Sequence, residues 1–379
     1  MNSYVDPSFI SYYADVVNFL IILFLIFYLL EKKIINLNLF WYLVLSLFSC
    51  FLFNIILFDW VIFPDQNKYF GISQKIRDQL IYFDVEAETG SSYQFFSGLF
   101  FSFIPLPYIE TINSLSFFNK LIFVIFTVFI YHKKIIKDEY LILFIFFPSV
   151  LLYSSLSLKD NIIYVVSLLA IYNIINGNNL RTILLLLILT AIKLINGLLL
   201  IAFYIMYKFL FYTYRKDNFT KNFTFLILIS SIAIYFFSGQ ILEVVNRHMF
   251  NFYEEAINKG NMTASLNYIN SFSNLVYTLF VNSIGAFFTP IFDLNRNLFL
   301  RLILVIENII FIFVLINLFK NYFKKIEDSF IFWFSYLLLN YGIYNLLFFN
   351  PGTLGRYKYP ITLGFIFAIL CEIRKKIKK

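Results

Sequence analysis

Long apolar runs recur along the whole chain, and they constrain the fold more than any other feature of the sequence. A helix needs about 20 consecutive apolar residues to cross the hydrocarbon core of a bilayer, and apolar runs follow one another from residue 16 to residue 373. Charged residues make up only 14% of the 379 residues, whereas a soluble domain carries about 25%. The sequence therefore predicts an all-α, polytopic, single integral membrane domain over residues 1–379.

The distribution of cations predicts the orientation of this domain. Short cationic clusters follow alternate apolar runs, for example Glu31-Lys32-Lys33, His132-Lys133-Lys134 and the stretch from Arg374 to Lys379. Lys320, Lys324 and Lys325 likewise end a predicted span of about 298–319, before the next predicted span at about 329–349. The positive-inside rule assigns such clusters to the cytoplasm. The first 15 residues contain Asp6 and Asp15 but no cation. We therefore predict about 11 transmembrane helices, with the N-terminus outside and the C-terminus inside.

Two long segments are expected on the extracytoplasmic side. The first, 64–118, begins with a polar loop and ends in an apolar piece, 94–118, whose prolines and glycine suggest a re-entrant or interfacial segment followed by a short span from residue 119. The second, 239–297, begins with apolar residues at helical spacing, which predicts an amphipathic helix on the membrane surface. Its later part, 272–292, is apolar again and is expected to dip into the interface.

Lys193 lies in the middle of an apolar stretch of 33 residues, 181–213. This stretch is too long for one span of about 20 residues. A charged group inside a membrane requires a partner or a polar cavity. Two short helices that meet at Lys193 satisfy both requirements.

The stretch from Asn350 to Pro360 contains two prolines and two glycines in eleven residues. This composition predicts a turn at the outer membrane face rather than a spanning helix. The turn would present Arg356 and Lys358 on the side where the positive-inside rule expects few cations. An anionic ligand is a physical reason for such a placement.

Other ionisable residues are predicted at the outer ends of the spans: Lys159, Asp160, Lys193, Arg296, Arg301 and Glu307. Charges at this depth cost several kcal/mol unless they are paired or solvated. Because cations outnumber acids in the set, a phosphate or pyrophosphate ligand is favoured. Alternatives remain for some members: Lys159 and Asp160 as a solvated loop pair, and the cations of the 350–360 stretch as residues that snorkel to lipid headgroups.

Glu307 requires a separate explanation. It follows Arg301 by six residues, so the two side chains lie on different sides of a helix turn and direct pairing is poor. Another cation is expected to serve Glu307.

Several function classes are disfavoured. The net charge of +8 comes mostly from clusters beside the spans, which is a poor pattern for nucleic-acid binding. The sequence contains no GxxxxGK[ST] and no HExxH motif. Cys50 and Cys371 lie inside apolar runs near opposite ends of the chain, so we expect neither a disulfide nor a cysteine metal site. We expect no cofactor and no bound metal ion.

Three stretches carry a resemblance to a known family. They are Pro148-Ser149 with Ser154-Ser155 and Lys159-Asp160; Pro290 with Glu307-Asn308; and Asn350-x-Gly352-Thr353-x-x-Arg356-Tyr357-Lys358-x-Pro360. In order and context they resemble the polytopic O-antigen or repeat-unit polymerases (Wzy-type) of bacterial polysaccharide gene clusters. Those proteins are related in architecture to lipid-sugar-dependent glycosyltransferases of the GT-C kind.

The resemblance implies transfer or polymerisation of sugar units at the outer leaflet of the bacterial inner membrane. The donor would be a polyprenyl-diphosphate-linked sugar and the acceptor a glycan. Five cations would bind the diphosphate: Arg356, Lys358, Lys193, Arg296 and Arg301. Asp84 or Glu86 would deprotonate the acceptor hydroxyl. Lys159, Asp160 and Glu307 would orient the other groups.

Two other functions stay open. One is a flippase or transporter for an anionic lipid-linked sugar, which would use the same cations without chemistry. An internal repeat would favour it, and the two halves show no convincing repeat. The other is a non-catalytic membrane partner in an envelope glycan complex.

Overall fold

The computed structural model describes residues 9–57, 63, 65–82, 92–102, 111–213, 219–258, 268–287, 298–347 and 351–377. Every regular element in these ranges is a helix, which confirms the predicted fold class. The chain divides into two compact units, Met1–Leu198 and Leu199–Lys379.

Unit 1 is built from short and medium helices. They are α1 (Phe9–Glu31), α2 (Leu37–Phe51), which continues as a π-helical segment (Leu52–Leu57), α3 (Asp65–Tyr82), α4 (Ser92–Ser102), α5 (Ile112–His132), α6 (Asp138–Phe146), α7 (Pro148–Ser154), α8 (Asp160–Asn176) and α9 (Asn179–Ile192). The next helix, α10 (Leu194–Lys208), begins in unit 1.

Local residues account for several of these helix ends. The Asn36 side chain accepts a hydrogen bond from the Leu39 amide at 2.9 Å and caps α2. Thr111 and Ser114 form a reciprocal capping box at the start of α5. Gly177 ends α8 with a φ of 76°, a left-handed conformation that glycine adopts without steric cost.

Unit 2 contains longer helices. After α10 come a π-helical segment (Phe209–Thr213), α11 (Phe219–Phe236), α12 (Ser238–Asn258), α13 (Phe272–Gly285), α14 (Leu298–Leu347) and α15 (Pro351–Ile377). Many aromatic rings pack against one another in the interior of unit 2. For example, the Phe203 ring lies 5.1 Å from the Tyr336 ring, and the Tyr207 ring lies 5.5 Å from the Phe332 ring.

Four described helices are long and apolar enough to cross a membrane: Leu37–Asn54, Ile112–His132, Leu194–Phe211 and Leu300–Leu346. Four shorter helices are also apolar: Asp160–Asn176, Asn179–Ile192, Phe219–Ile232 and Phe272–Phe287. These helices support the assignment to a membrane. The count of about 11 spans and the orientation stay predictions.

Three sequence predictions about helix boundaries are confirmed. Helices α9 and α10 meet at Lys193, whose φ of −149° and ψ of 98° are extended. Helix α14 is interrupted at Ile326, directly after the Lys324-Lys325 cluster, so it consists of two helices as the charges predict. The amphipathic stretch from residue 239 is helical in α12, and Met249 of this helix is buried against Ile269, Leu275 and Leu346. The location of α12 on the membrane surface stays a prediction.

The predicted turn at 350–360 is wrong, because residues 351–360 form the first part of α15. Pro351 occupies the first helical position, where a missing N–H costs nothing. Pro360 lies inside the helix and removes one hydrogen bond, which neighbouring helices compensate in membrane proteins. Gly355 packs against Leu304 of α14, so the glycine serves helix contact rather than a turn.

The predicted structure of segment 64–118 also needs correction. Most of its polar first part is the helix α3, whose buried residues Gln66, Tyr69, Ser73 and Ile76 recur at helical spacing. The spanning helix α5 begins at Ile112 rather than at residue 119. Lys120 therefore lies inside the helix body, where the sequence analysis did not single it out.

Candidate functional site

Unit 1 contains a break between α7 and α8 that we call the serine break, residues 155–159. These residues are non-helical and buried. Lipid offers no hydrogen bonds to irregular backbone, so such a segment persists in a membrane protein only when protein groups or water satisfy it. The side chains around the serine break supply these partners at its start, its middle and its end.

Lys120 of α5 holds the start of the serine break. Its ammonium group donates to the hydroxyls of Ser154 at 2.7 Å, Ser49 at 3.1 Å and Ser46 at 3.2 Å. A lysine has three N–H donors, and each has one serine acceptor here. No carboxylate in the described part of the chain lies within ion-pair distance of this ammonium. Helices α2, α5 and α7 are thus joined through one fully buried positive charge.

Two amide side chains hold the middle of the serine break. Asn119 Nδ2 donates to the carbonyls of Leu156 and Leu158, both at 2.7 Å. Gln66 Oε1 of α3 accepts from the Ser157 N–H at 2.8 Å. The Leu156 carbonyl and the Ser157 N–H belong to one peptide group and point in opposite directions. The two amides therefore hold this peptide from opposite sides.

Lys159 ends the serine break and links it to the second break of unit 1. Its ammonium group donates to the carbonyl of Ile192, the last residue of α9, at 3.0 Å. It also lies 5.7 Å from the centroid of the Tyr69 ring. A cation at the C-terminal end of a helix is stabilised by the helix dipole. Within unit 1 the Lys159 side chain therefore reaches the residue that directly precedes the Lys193 break.

The chain reverses sharply at Lys193. A Cβ placed on Gly197 would lie 2.5 Å from the Cα of Thr190, so α9 and α10 approach closely directly beside the bend. Helix α9 has 14 residues, which corresponds to about 21 Å, shorter than the roughly 30 Å hydrocarbon core. Lys193 is half-buried at this bend, and Asp160 is buried at the first turn of α8.

Unit 2 contains a second polar group of residues, which we call the Lys358 cluster: Lys358, Glu307, Asn308, Tyr341 and Thr362. The Lys358 ammonium donates to Asn308 Oδ1 at 2.6 Å and to the Ala286 carbonyl, and it lies 5.6 Å from the Tyr341 ring centroid. Glu307 is buried and directly precedes Asn308, the residue that Lys358 contacts. Lys358 is therefore the candidate for the additional cation that is expected to serve Glu307.

The Lys358 cluster lies on a regular helix seam. Residues 355, 358, 362 and 365 share one face of α15, and residues 304, 308 and 311 share one face of α14. Along these two faces, Leu304 packs against Gly355, Asn308 contacts Lys358, and the Phe311 ring lies 6.3 Å from the Phe365 ring. Arg356 is two residues from Lys358, so it lies on a different face of α15 and is half-buried.

The remaining predicted site residues divide as follows. Arg301 is half-buried on α14, and its spacing of seven residues places it on the same helix face as Asn308. Asp84, Glu86 and Arg296 lie outside the described residues. Within the described ranges, no three His, Cys, Asp or Glu side chains are grouped so that they could hold a metal ion. Cys50 and Cys371 are buried free thiols.

Lys120 and Gln66 are the residues that sequence reasoning missed. A lone lysine after Asn119 in an apolar run was a visible signal for Lys120. Its serine partners, however, lie on two other helices that are distant in sequence, α2 and α7. Gln66 gave no signal of its own, because a glutamine in a polar stretch is ordinary.

No protein-family model, no curated protein and no solved structure matches this chain. The class that the fold defines is an all-helical membrane protein with buried, hydrogen-bonded cations in each of its two units.

Proposed function

We propose that this chain transfers or polymerises sugar units carried on a polyprenyl diphosphate, at the outer leaflet of the bacterial inner membrane. The chain would act in envelope polysaccharide synthesis, with a glycan as acceptor. Its class of protein would be that of the Wzy-type polymerases and the related lipid-sugar glycosyltransferases.

One observation carries this proposal. The resemblance rests on separate motifs, and two of them, Glu307-Asn308 and Arg356-Tyr357-Lys358, meet in the Lys358 cluster. Lys358 donates to Asn308 at 2.6 Å although the two residues are 50 positions apart. Because residues of the two motifs contact each other, we propose that they belong to one functional site. If the motifs had arisen only from the amino-acid composition of the chain, such a contact would not be expected.

Arg356 and Arg301 are the proposed diphosphate ligands in unit 2. Both are half-buried, and arginine binds phosphate oxygens through two parallel hydrogen bonds. Because residues 351–360 are helical, the first turn of α15 adds backbone N–H groups, which favour anions at a helix N-terminus. Lys358 already donates to two protein oxygens, so its contribution would be mainly its charge, oriented by Glu307.

The other predicted roles belong to the same proposal. Lys193 and Arg296 would add positive charge for the phosphate groups, and Lys159 and Asp160 would orient the groups around the breaks of unit 1. Asp84 or Glu86 would accept the proton of the attacking hydroxyl. We propose no cofactor for this reaction.

The broken helices of unit 1 favour a second candidate function, transport of an anionic lipid-linked sugar. Discontinuous helices are typical of transporter binding sites, where helix ends and unwound backbone contact the substrate. The serine break and the Lys193 bend are two such discontinuities. In this function the same cations would bind the substrate without chemistry.

Single substitutions distinguish the candidates in a host that lacks the chromosomal copy. With Arg356→Ala, the transferase proposal expects loss of polymer while lipid-linked single units remain on the outer leaflet. A transporter would instead accumulate its intermediates on the cytoplasmic face. Arg356→Lys should restore part of the polymer, because it returns the charge but not the paired hydrogen bonds. Lys324→Ala, at an exposed cation of α14, is the control. Unchanged surface glycan in both Arg356→Ala and Lys193→Ala would remove the basis of the proposal.

A further inference from the structure

We infer that unit 1 contains an oxyanion-binding site of its own where its two helix breaks meet, and that the side-chain amide of Gln66 donates to the bound group. The ligand class is a phosphate group, either inorganic or part of a lipid headgroup. The inference depends on three observations. The first, on Gln66, is not used by the proposed function, whereas the other two share Lys159 and Lys193 with it.

The first observation is the amide group of Gln66. Its Oε1 accepts from the Ser157 N–H, which fixes the identity of oxygen and nitrogen because a backbone N–H can only donate. Its Nε2 therefore carries two donors, and it has no acceptor among the residues that the structure describes. The Gln66 side chain is only 1% exposed. A buried donor of this kind indicates a ligand or an ordered polar group beside it.

The second observation is the positive charge on the same side of the serine break. Tyr69 follows Gln66 by three residues, so both lie on one face of α3. The Lys159 ammonium lies over the Tyr69 ring and donates to the Ile192 carbonyl. Gln66, through Ser157, and Lys159 are thus held by the same five-residue segment.

The third observation is the start of α10. Lys193 precedes this helix of 15 residues and is half-buried beside the Ile192 carbonyl that Lys159 contacts. The first N–H groups of a helix have no partner within the helix and favour an anion. The start of α10 and the Gln66 face of α3 are linked through Lys159, which contacts both the Ile192 carbonyl and the Tyr69 ring, and the Gln66 donor is an observation separate from the helix N-terminus.

The groups around the site carry charges of both signs. Lys159 and Lys193 contribute two positive charges, and Asp160 at the start of α8 and Asp65 at the start of α3 contribute negative charges. An ammonium group, an amide with two donors and helix N–H groups form a donor-rich set. Such a set suits a group with several acceptor oxygens and no donors of its own, which is the chemistry of phosphate.

Gln66→Glu tests this inference with little change in shape. The glutamate keeps an oxygen that accepts from Ser157, and it replaces the Nε2 donors by a carboxylate oxygen that repels an anion. Asn67→Asp is the matched control, because it adds the same charge one residue later at an exposed position of α3. The full-length protein in uncharged detergent is titrated calorimetrically with inorganic phosphate and with pyrophosphate.

We expect Gln66→Glu to weaken phosphate binding by at least about tenfold, the loss of one charged hydrogen bond, whereas Asn67→Asp changes it by less than about twofold. Lys193→Gln should weaken binding to a similar extent and keeps the test informative if Gln66→Glu unfolds. Equal affinity in wild type, Gln66→Glu and Lys193→Gln overturns the inference. So does a wild type that binds neither inorganic phosphate nor pyrophosphate.

A second arm identifies the source of the phosphate. Phosphatidylcholine vesicles with and without phosphatidic acid are added in competition with inorganic phosphate. If only the vesicles that contain phosphatidic acid compete, and the competition depends on Gln66, the site binds a lipid headgroup. If neither kind of vesicle competes, the site binds free phosphate. If phosphate binding depends on Gln66 while Arg356→Ala and Lys193→Ala both leave the glycan intact, the site stands and the proposed function fails. If Arg356→Ala abolishes the glycan while phosphate binding does not depend on Gln66, the proposed function stands and the site fails.

Discussion

Removing one acceptor from the Lys120 ammonium should destabilise unit 1 far more than a surface serine substitution would. Ser154→Ala deletes the shortest of the three hydrogen bonds, 2.7 Å, and leaves a charged, fully buried N–H without an acceptor. Hydrogen bonds to charged groups contribute about 1.5–3 kcal/mol, and an unsatisfied buried donor costs a similar amount. We therefore expect Ser154→Ala to lower the free energy of unfolding by about 2–3 kcal/mol.

Lys120→Met is the second arm of a double-mutant cycle. It removes the charge, and Ser154 keeps its hydrogen bond to the Leu151 carbonyl. Replacing a buried charge with an apolar side chain of similar length is often close to neutral. In the Lys120→Met background, Ser154→Ala should then cost less than about 1 kcal/mol. The coupling energy between the two positions should be about 1.5–3 kcal/mol.

Equilibrium unfolding in mixed micelles, followed by circular dichroism, measures the four free energies of the cycle. Ser335→Ala is the control in both backgrounds, because the Ser335 hydroxyl donates to the Ile331 carbonyl of its own helix and belongs to unit 2. Its coupling to Lys120 should lie within about 0.5 kcal/mol of zero. A coupling between Lys120 and Ser154 of the same small size would refute the claim that the serines hold a charged lysine.

Three further predictions concern close contacts of the helices. Gly197→Ala should destabilise the α9–α10 bend by about 1–3 kcal/mol and lower the thermal midpoint, because its Cβ would lie 2.5 Å from the Thr190 backbone. Gly342→Ala should destabilise the protein by a similar amount, because its Cβ would lie 2.7 Å from the Leu279 carbonyl oxygen. Gly239→Ala is the control: its Cβ would meet open space, so the change should be neutral or stabilise by up to about 1 kcal/mol. Equal effects of Gly342→Ala and Gly239→Ala would contradict the packing. Asn308→Ala should cost about 1.5–3 kcal/mol because it removes an acceptor from a buried ammonium, and a thermal midpoint equal to that of wild type would exclude this contribution.

The break at Lys193 could be predicted because its cause is local. A charge in the middle of 33 apolar residues has no place in a straight spanning helix, so the sequence itself requires an interruption. The same reasoning located the interruption of α14 after its lysines. A charged residue in an apolar run can be recognised from the sequence alone, without knowing which residues pack against it in the structure.

The helical start of α15 could not be predicted in the same way. Proline and glycine lower helix propensity, and four of them in eleven residues indicated a turn. Packing reversed this preference, since Gly355 allows close approach to Leu304. The correction matters for the site because it separates Arg356 and Lys358 onto different helix faces.

The Lys120 contacts and the Gln66 contact depended on tertiary structure for another reason. Ser46 and Ser49 share one face of α2, and Ser154 ends α7, but no pattern along the chain indicates that these serines face one lysine. A polar side chain in an apolar helix indicates that it has a partner, but it does not indicate which residue that partner is. The partner is known only once the packing of the helices is known.

The hydrogen bond from Lys159 to the Ile192 carbonyl also has a mechanical consequence. It connects the end of the serine break to the last residue of α9, directly before the break at Lys193. A movement at one break would therefore be transmitted to the other while this hydrogen bond is present. A displacement of α10 at Lys193 would pull on the segment that Lys120, Asn119 and Gln66 hold. Together with the packing of α9 against α8, the Lys159 contact would then couple movements at the two breaks of unit 1.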